Sequence, residues 1–505
     1  MAATKSHAGS KIRSMGCHES YQLAIHTLNQ YRGTMVACRY FPPAVLARSD
    51  SLATLKVRFY DALTRVVLAQ PHLQTGIIGE NSKNPAFVRL DHLDLRHHVQ
   101  WITLDESSHF QQLYLETIQA QLDSRYENLS TQPGWRLVVL HEIGAESIEV
   151  MYVWNHTHHD GSSAKIFHQY LLRFLTEINR QGEEPIVDAS DADRWIINLP
   201  DSSDRLPPNP EILTPWPVSP GFVLSELWKG LKPEWIFPRS DTHARWAPIQ
   251  ASPYQTRFRN FTVDSQLVTK LVGACRLHHT TLTGLVQALC LTSLSTALQD
   301  ARGFASRTPY DLRQILPSNT TQYPWLRPKE SMCNYVSVVD HEFDSKLVDT
   351  IRSHMRAISS NSKLSTDVMD VVWSVSARVR REIQARLDSG TRNDLIGIMK
   401  LCPDWNSQQE SEMRKTRCLS WLVTNLGVLD GECSTSVKNE EMWSLRRAEL
   451  ILSADTPSAA FSVSMMTVKG REMCITCSWQ DCVVEAELGE RLMGDLERWL
   501  KAIGS

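Results

Sequence analysis

The sequence predicts an α/β or α+β fold in two lobes, on three observations. Runs with helical spacing alternate with short β-branched runs along the whole chain, without a tight repeat. At 505 residues the chain is too long for one ordinary core. Proline is also unevenly spread, with 11 of the 23 lying between Pro200 and Pro253. Each proline removes a backbone donor and restricts its predecessor, so that stretch suits neither a helix nor a central strand. The expected division is an N-terminal lobe over 1–182, a Pro-rich crossover over 183–253 and a C-terminal lobe over 254–505. Within the crossover, "FVLSELWKGLKPEWIF" should pack against a lobe; an amphipathic contact with a membrane surface is the alternative.

The elements follow from local pattern. Leu52, Leu55, Phe59, Leu63 and Val66 recur at helical spacing, with Asp50 or Ser51 as N-cap. "GWRLVVLHE" and "SIEVMYVWNH" read as strands, and "SSAKIFHQYLLRFLTEI" as a helix capped by Ser162 or Ser163. Beyond the crossover, "FRNFTVDSQ", "MCNYVSVVDHEF" and "CLSWLVTNLGVL" read as strands. "TTLTGLVQALCLTSLSTAL" and "ELGERLMGDLERWLKAI" read as helices.

Composition narrows the function classes. A formal net charge of −3 offers no general attraction to nucleic acid or anionic membrane. The N-terminus lacks the apolar run of a secretory signal, and no stretch is apolar enough to span a bilayer. Eleven cysteines, an odd number at irregular spacing, fit free thiols in a reducing compartment. The expected location is the cytoplasm.

The stretch "EVMYVWNHTHHDGSSAKIF" places His156, His158, His159, Asp160 and Gly161 at a strand–loop–helix junction. Three chemistries fit these residues. His156, His158 and Asp160 could share one side of an extended loop and hold zinc. No second Cys/His cluster supports that, because "CITCSWQDC" (Cys474, Cys477, Cys482) alternates as a strand. Asp160-Gly161 could be an ordinary turn stabilised by histidine hydrogen bonds. Lastly, His156 could emerge from the apolar strand into a cavity and act as general base, with Asp160 holding the imidazole or pinning the loop through an arginine.

His156-Thr157-His158-His159-Asp160-Gly161 resembles the HxxxDG signature of acyltransferases with the chloramphenicol-acetyltransferase-like fold. "HESYQLAIHTLNQYRGTMVACRY", "QPHLQTGI", "PGWRLVVL", "TTLTGLVQAL", "TPYDLRQIL", "SMCNYVSVVD" and "TNLGVL" follow the order of the fungal alcohol O-acetyltransferase branch. The resemblance implies two lobes, each a mixed sheet flanked by helices, with a tunnel at their interface. It implies His156 as the catalytic base and Asp160 as a structural carboxylate salt-bridged to Arg313. Breaking such a buried pair from one side costs on the order of 3–5 kcal/mol, so replacing Asp160 should impair folding as well as rate.

Two departures refine the resemblance. "TNLGVLDGE" stands where the plant branch has DFGWG, and Asn155 precedes the base where condensation domains have histidine. The expectation is therefore transfer of an acetyl group from acetyl-CoA, a co-substrate and no tightly bound cofactor, to a small-molecule hydroxyl. Fungal secondary metabolites or short-chain alcohols are the implied acceptors, and no covalent enzyme intermediate or metal is needed. Gly161, Thr424 and Asn425 are candidate substrate-binding or oxyanion residues. Lys270 and Arg276 are candidates for the coenzyme A phosphates, though solvated surface suits both. His158 and His159 are expected to be structural or solvent-facing, and His168 to pack; a monomer is expected. A carrier-protein donor, a zinc hydrolase and a non-catalytic binding protein are the rival readings.

Overall fold

The computed structural model describes residues 9–48, 51–105, 109–181, 195–200, 205–231, 243–356, 364–432 and 442–504. Asp50 and the crossover stretches 183–194, 201–204 and 232–242 lie outside the described residues. Two mixed sheets carry the structure. The first has five strands in the order Ser444–Leu452, Thr34–Phe41, Ile148–Trp154, Trp135–Glu142 and Val99–Leu104, the last pair parallel. The second has six, in the order Thr256–Val263, Met473–Gln480, Phe461–Val468, Trp421–Leu429, Phe304–Asp311 and Val336–Phe343.

Every residue of Ile148–Trp154 is buried, because the period-two alternation meets a packed layer on each side. Val150, Tyr152 and Trp154 face the core formed with the helices Leu52–Ala69 and Gly161–Gln181. Met151 and Val153 face Tyr114 and Ile118 of the helix Phe110–Asp123. The second sheet packs against the helices Leu282–Ala297, Thr366–Asp388 and Ala486–Gly504. Ser51 is the N-cap residue of Leu52–Ala69.

The helix that follows the histidine loop begins differently from the sequence expectation. Neither Ser162 nor Ser163 caps it. Asp160 does, its Oδ1 accepting from the Ser163 N–H at 2.8 Å. A carboxylate is the stronger acceptor for the orphan donors of a first turn, and it sits three residues before the N–H it serves.

The crossover is more ordered than its prolines suggest. Ile196–Asn198 pairs with His92–Asp94, and Leu206 to Pro210 are buried. The Pro207 carbonyl accepts from Arg13, the Pro208 carbonyl from Tyr335, and the Pro210 carbonyl from Trp216. Proline keeps its acceptor, so these three carbonyls are satisfied although their own nitrogens cannot donate. The helix Pro220–Leu231 does not bury its apolar side as expected: Leu224 and Trp228 remain 68% and 53% exposed. Among the described residues no helix is long and apolar enough to cross a membrane.

One strand joins the two sheets. Ser444–Leu452 lies in sequence between two strands of the second sheet, yet pairs antiparallel with Thr34–Phe41 in the first. Glu449 at its centre is fully buried. Its Oε1 accepts from Asn260 at 2.6 Å and Thr476 at 2.8 Å, both on the second sheet. Its Oε2 accepts from Tyr114 at 3.0 Å and from Arg447 at 2.7 Å. Glu449→Ala strips four donors of their acceptor. It should lower unfolding stability by roughly 3–5 kcal/mol, read as a drop in the urea midpoint.

Candidate active site

Between the lobes lies a cavity of about 1110 Å3. Its wall draws on the first sheet and the histidine loop (Trp154, His156, Asp160, Gly161) and on the second sheet (Thr308, Leu422, Thr424). The loop leaves the first sheet at Asn155. The Asn155 N–H donates to the Gly134 carbonyl at 2.8 Å, while its Oδ1 accepts from the Thr157 N–H at 2.8 Å. This Asx turn reverses the chain immediately after the buried strand.

The turn separates His156 from the three side chains that follow it. Thr157, His158 and His159 are fully buried, whereas His156 lines the cavity. His158 Nε2 is 3.3 Å from the Thr75 carbonyl, and His159 Nδ1 is 2.9 Å from the Tyr152 hydroxyl. His168 bridges Tyr40 and the Val36 carbonyl at 2.9 and 3.2 Å. These three rings are packed structural groups, and none faces solvent. His156, His158 and Asp160 therefore do not converge, and among the described residues no group of three or more His, Cys, Asp or Glu is placed to hold a metal ion. Cys474 and Cys477 are buried in a strand, and every described cysteine is free.

Asp160 turns away from His156 toward Arg313. The pair closes at 2.6 Å with both side chains almost wholly buried. Asp160 Oδ2 also accepts from the Tyr335 N–H at 2.8 Å. Arg313 spreads its remaining donors over Asp311, Ser163 and the carbonyls of Ser331 and Cys333. Burial alone would push the Asp160 carboxyl up. The Arg313 charge and the hydrogen bonds from Arg313, Tyr335 and Ser163 outweigh it and hold the group below the ordinary carboxylate range.

His156 is held from the second lobe by Asn334, whose amide donates to the His156 carbonyl and lies 3.2 Å from Nδ1. Among the described residues no group is bonded to Nε2. Burial pushes the imidazole down to about 4; Asp160 partly offsets this and nearby His18 adds to it. The ring is neutral at physiological pH. Asn334 and His18 fall in stretches that carry the family resemblance, but no local pattern singles out either, since Asn334 lies 178 residues from its partner and His18 sits on an ordinary helical turn.

The other candidates divide. Gly161 lines the cavity, and a Cβ there would meet Leu426 Cδ2 at 2.6 Å, so a larger residue would have to displace that leucine tip. Thr424 and Asn425 are on the wall as well. The Asn425 side chain is engaged by Thr283 at 3.3 Å and by the Gly427 N–H at 2.8 Å. Lys270 and Arg276 are exposed on the helix Ser265–Leu277 and contribute nothing to the cavity wall.

Residues 104–487 match the model of the alcohol acetyltransferase family. The probable alcohol acetyltransferase FCK4 of Fusarium pseudograminearum is 27% identical, over 98% of this chain and 96% of that protein. The probable alcohol acetyltransferase crmB of Aspergillus fumigatus is 25% identical, over 94% and 96%. TRI3 trichothecene 15-O-acetyltransferase from Fusarium sporotrichioides superposes with a TM-score of 0.68 at 13% identity, covering 97% of this chain and 94% of its own. A starter condensation domain of rhizomide synthetase RzmA, solved with C8-CoA, superposes at 0.59 and 12% identity, covering 97% and 94%. At those identities the two structures establish the fold, with its condensation-domain and chloramphenicol-acetyltransferase-like lobes. With the family model spanning most of its length, the chain belongs to the alcohol acetyltransferase family and is an O-acetyltransferase.

Proposed function

We propose that the protein transfers an acetyl group from acetyl-CoA to a hydroxyl of a small molecule, with His156 as general base. The observation that carries this reading is a neutral imidazole whose Nδ1 edge is held by the protein and whose other edge meets an interlobe cavity. The proposed mechanism uses the tautomer with its proton on Nδ1, which leaves the Nε2 lone pair for chemistry; the Asn334 amide then donates to the His156 carbonyl and not to the ring.

Nε2 removes the hydroxyl proton as the oxygen attacks the thioester carbonyl carbon. The C–S bond then breaks, and the imidazolium returns the proton to the thiolate. An acetate ester and free coenzyme A thiol result, with no acyl-enzyme. The volume supports a ternary complex, since about 1110 Å3 exceeds the usual range for one ligand. Holding both reactants in line supplies much of the acceleration. Backbone N–H groups near Gly161 and the side chains of Thr424 and Asn425 remain the proposed oxyanion and substrate contacts, and Asp160 and Arg313 the proposed positioning pair. CoA as donor is supported by the C8-CoA bound to the RzmA domain. We keep the proposed lobes at 1–182 and 254–505, joined by 183–253.

His156→Ala should reduce kcat by roughly 10²–10⁴ while far-UV circular dichroism stays native. Near-wild-type turnover would remove the assignment. Protonation occupies the lone pair, so a base depressed to about 4 keeps kcat/KM level from pH 8 down to about 5, with the acid limb falling below that. An acid limb at about 6.5 would mean an imidazole in a wet, unperturbed setting. Assaying free acetyl-CoA against an acyl carrier-protein thioester separates this reading from a condensation-type enzyme.

A further inference from the structure

The opening helix, Cys17–Thr27, lays one face along the cavity, where His18, Tyr21, Gln22 and Ile25 all contribute to the wall. His18 and Gln22 are four residues apart and share that face. Both are buried, at 5% and 8% exposure. Groups this buried are ordinarily hydrogen-bonded, because desolvation without a partner is costly. Among the described residues neither His18 ring nitrogen has a partner, Nδ1 being fully enclosed. The Gln22 amide has none either, and unlike His18 Nδ1 its polar atoms are not enclosed by protein.

The helix is held so that these groups cannot turn away. Arg13 grips both oxygens of Glu19 at 2.7 Å, and Glu19 accepts from the Gly16 N–H at 2.8 Å. The His18 N–H itself donates to Glu211 at 2.7 Å. Burial pushes the His18 imidazole down, so the neutral ring offers one donor and one acceptor. Both His18 and His156 are on the wall of the same cavity. Elsewhere the wall is largely apolar, with Leu387, Leu395, Ile396, Ile398 and Leu401 among its residues.

We propose that His18 and Gln22 bind a second oxygen of the acceptor, beside the hydroxyl that His156 activates. The acceptor class is then a bulky alcohol, in good part apolar, with another hydroxyl, ether or carbonyl near the reacting one. This rests on the assignment of His156 as base at the same site. A short monofunctional alcohol would leave both side chains without a ligand oxygen to bond. A site built to hydrogen-bond an oxygen rejects the analogue that lacks it far more strongly than an apolar pocket rejects a methylene.

The test uses the full chain, acetyl-CoA and matched steroid and sesquiterpene acceptors, each vicinal diol paired with its mono-ol. Turnover is measured, and acceptor binding is followed separately by quenching of tryptophan fluorescence. The wild type should favour the diols by at least about 100-fold in kcat/KM. His18→Phe should bring diol and mono-ol to within about fivefold, and His18→Asn, which keeps a donor and an acceptor, should restore part of the preference. Gln22→Leu should act in the same direction as His18→Phe. Equal use of both acceptors by the wild type, or a preference that survives His18→Phe, overturns the proposal and leaves the His156 reading standing. Full turnover by His156→Ala with the diol preference intact overturns the base instead. Failure of the wild type to bind any member of the panel refutes the acceptor class.

Discussion

The arrangement of the site depends on one buried ion pair, Asp160 with Arg313. It connects the loop leaving the first sheet to the turn that follows the strand Phe304–Asp311 of the second, and almost no solvent reaches either partner. Two charges so placed are costly to desolvate, and their attraction repays that cost only when the remaining hydrogen-bonding capacity is satisfied. Here Asp160 accepts from Arg313, Tyr335 and Ser163, and Arg313 serves Asp311, Ser163, Ser331 and Cys333. A carboxylate so engaged is not available to His156. Its work is to fix the loop, and through the loop the direction in which the imidazole leaves it.

The three histidines of the loop show how one turn separates chemistry from support. His158 and His159 face inward and fasten the loop to Thr75 and Tyr152. Only His156 faces the cavity, and there the second lobe holds it again through Asn334. Holding His156 from both lobes ties the site to the lobe interface. The same interface carries Glu449, which collects donors from both sheets. The strand exchange around Glu449 and the grip on His156 thus act on one surface.

Local pattern made much of this legible. The buried strand, the loop and the following helix announce themselves because period two gives way to helical spacing across six residues. The family motif then pointed to Arg313 as the partner of Asp160. The helix cap was misread because serine is a common cap, whereas the stronger acceptor lies just upstream and serves cap and ion pair together. Asn334, His18 and the excursion of Ser444–Leu452 into the first sheet depend on contacts between distant segments, and no local periodicity encodes them. The stretch with Leu224 and Trp228 was expected to pack against a lobe, but hydrophobicity alone does not say which side of a helix finds a partner.

A double-mutant cycle on the ion pair, with Asp160→Leu and Arg313→Met made singly and together, most directly tests whether that pair organises the site. Unfolding free energy and kcat are read for all four proteins. If the pair acts as a unit, each single substitution strands a buried charge, and the double variant is no less stable than either single variant. Additive losses in stability, or a single Asp160→Leu protein with full stability and full kcat, would contradict the account.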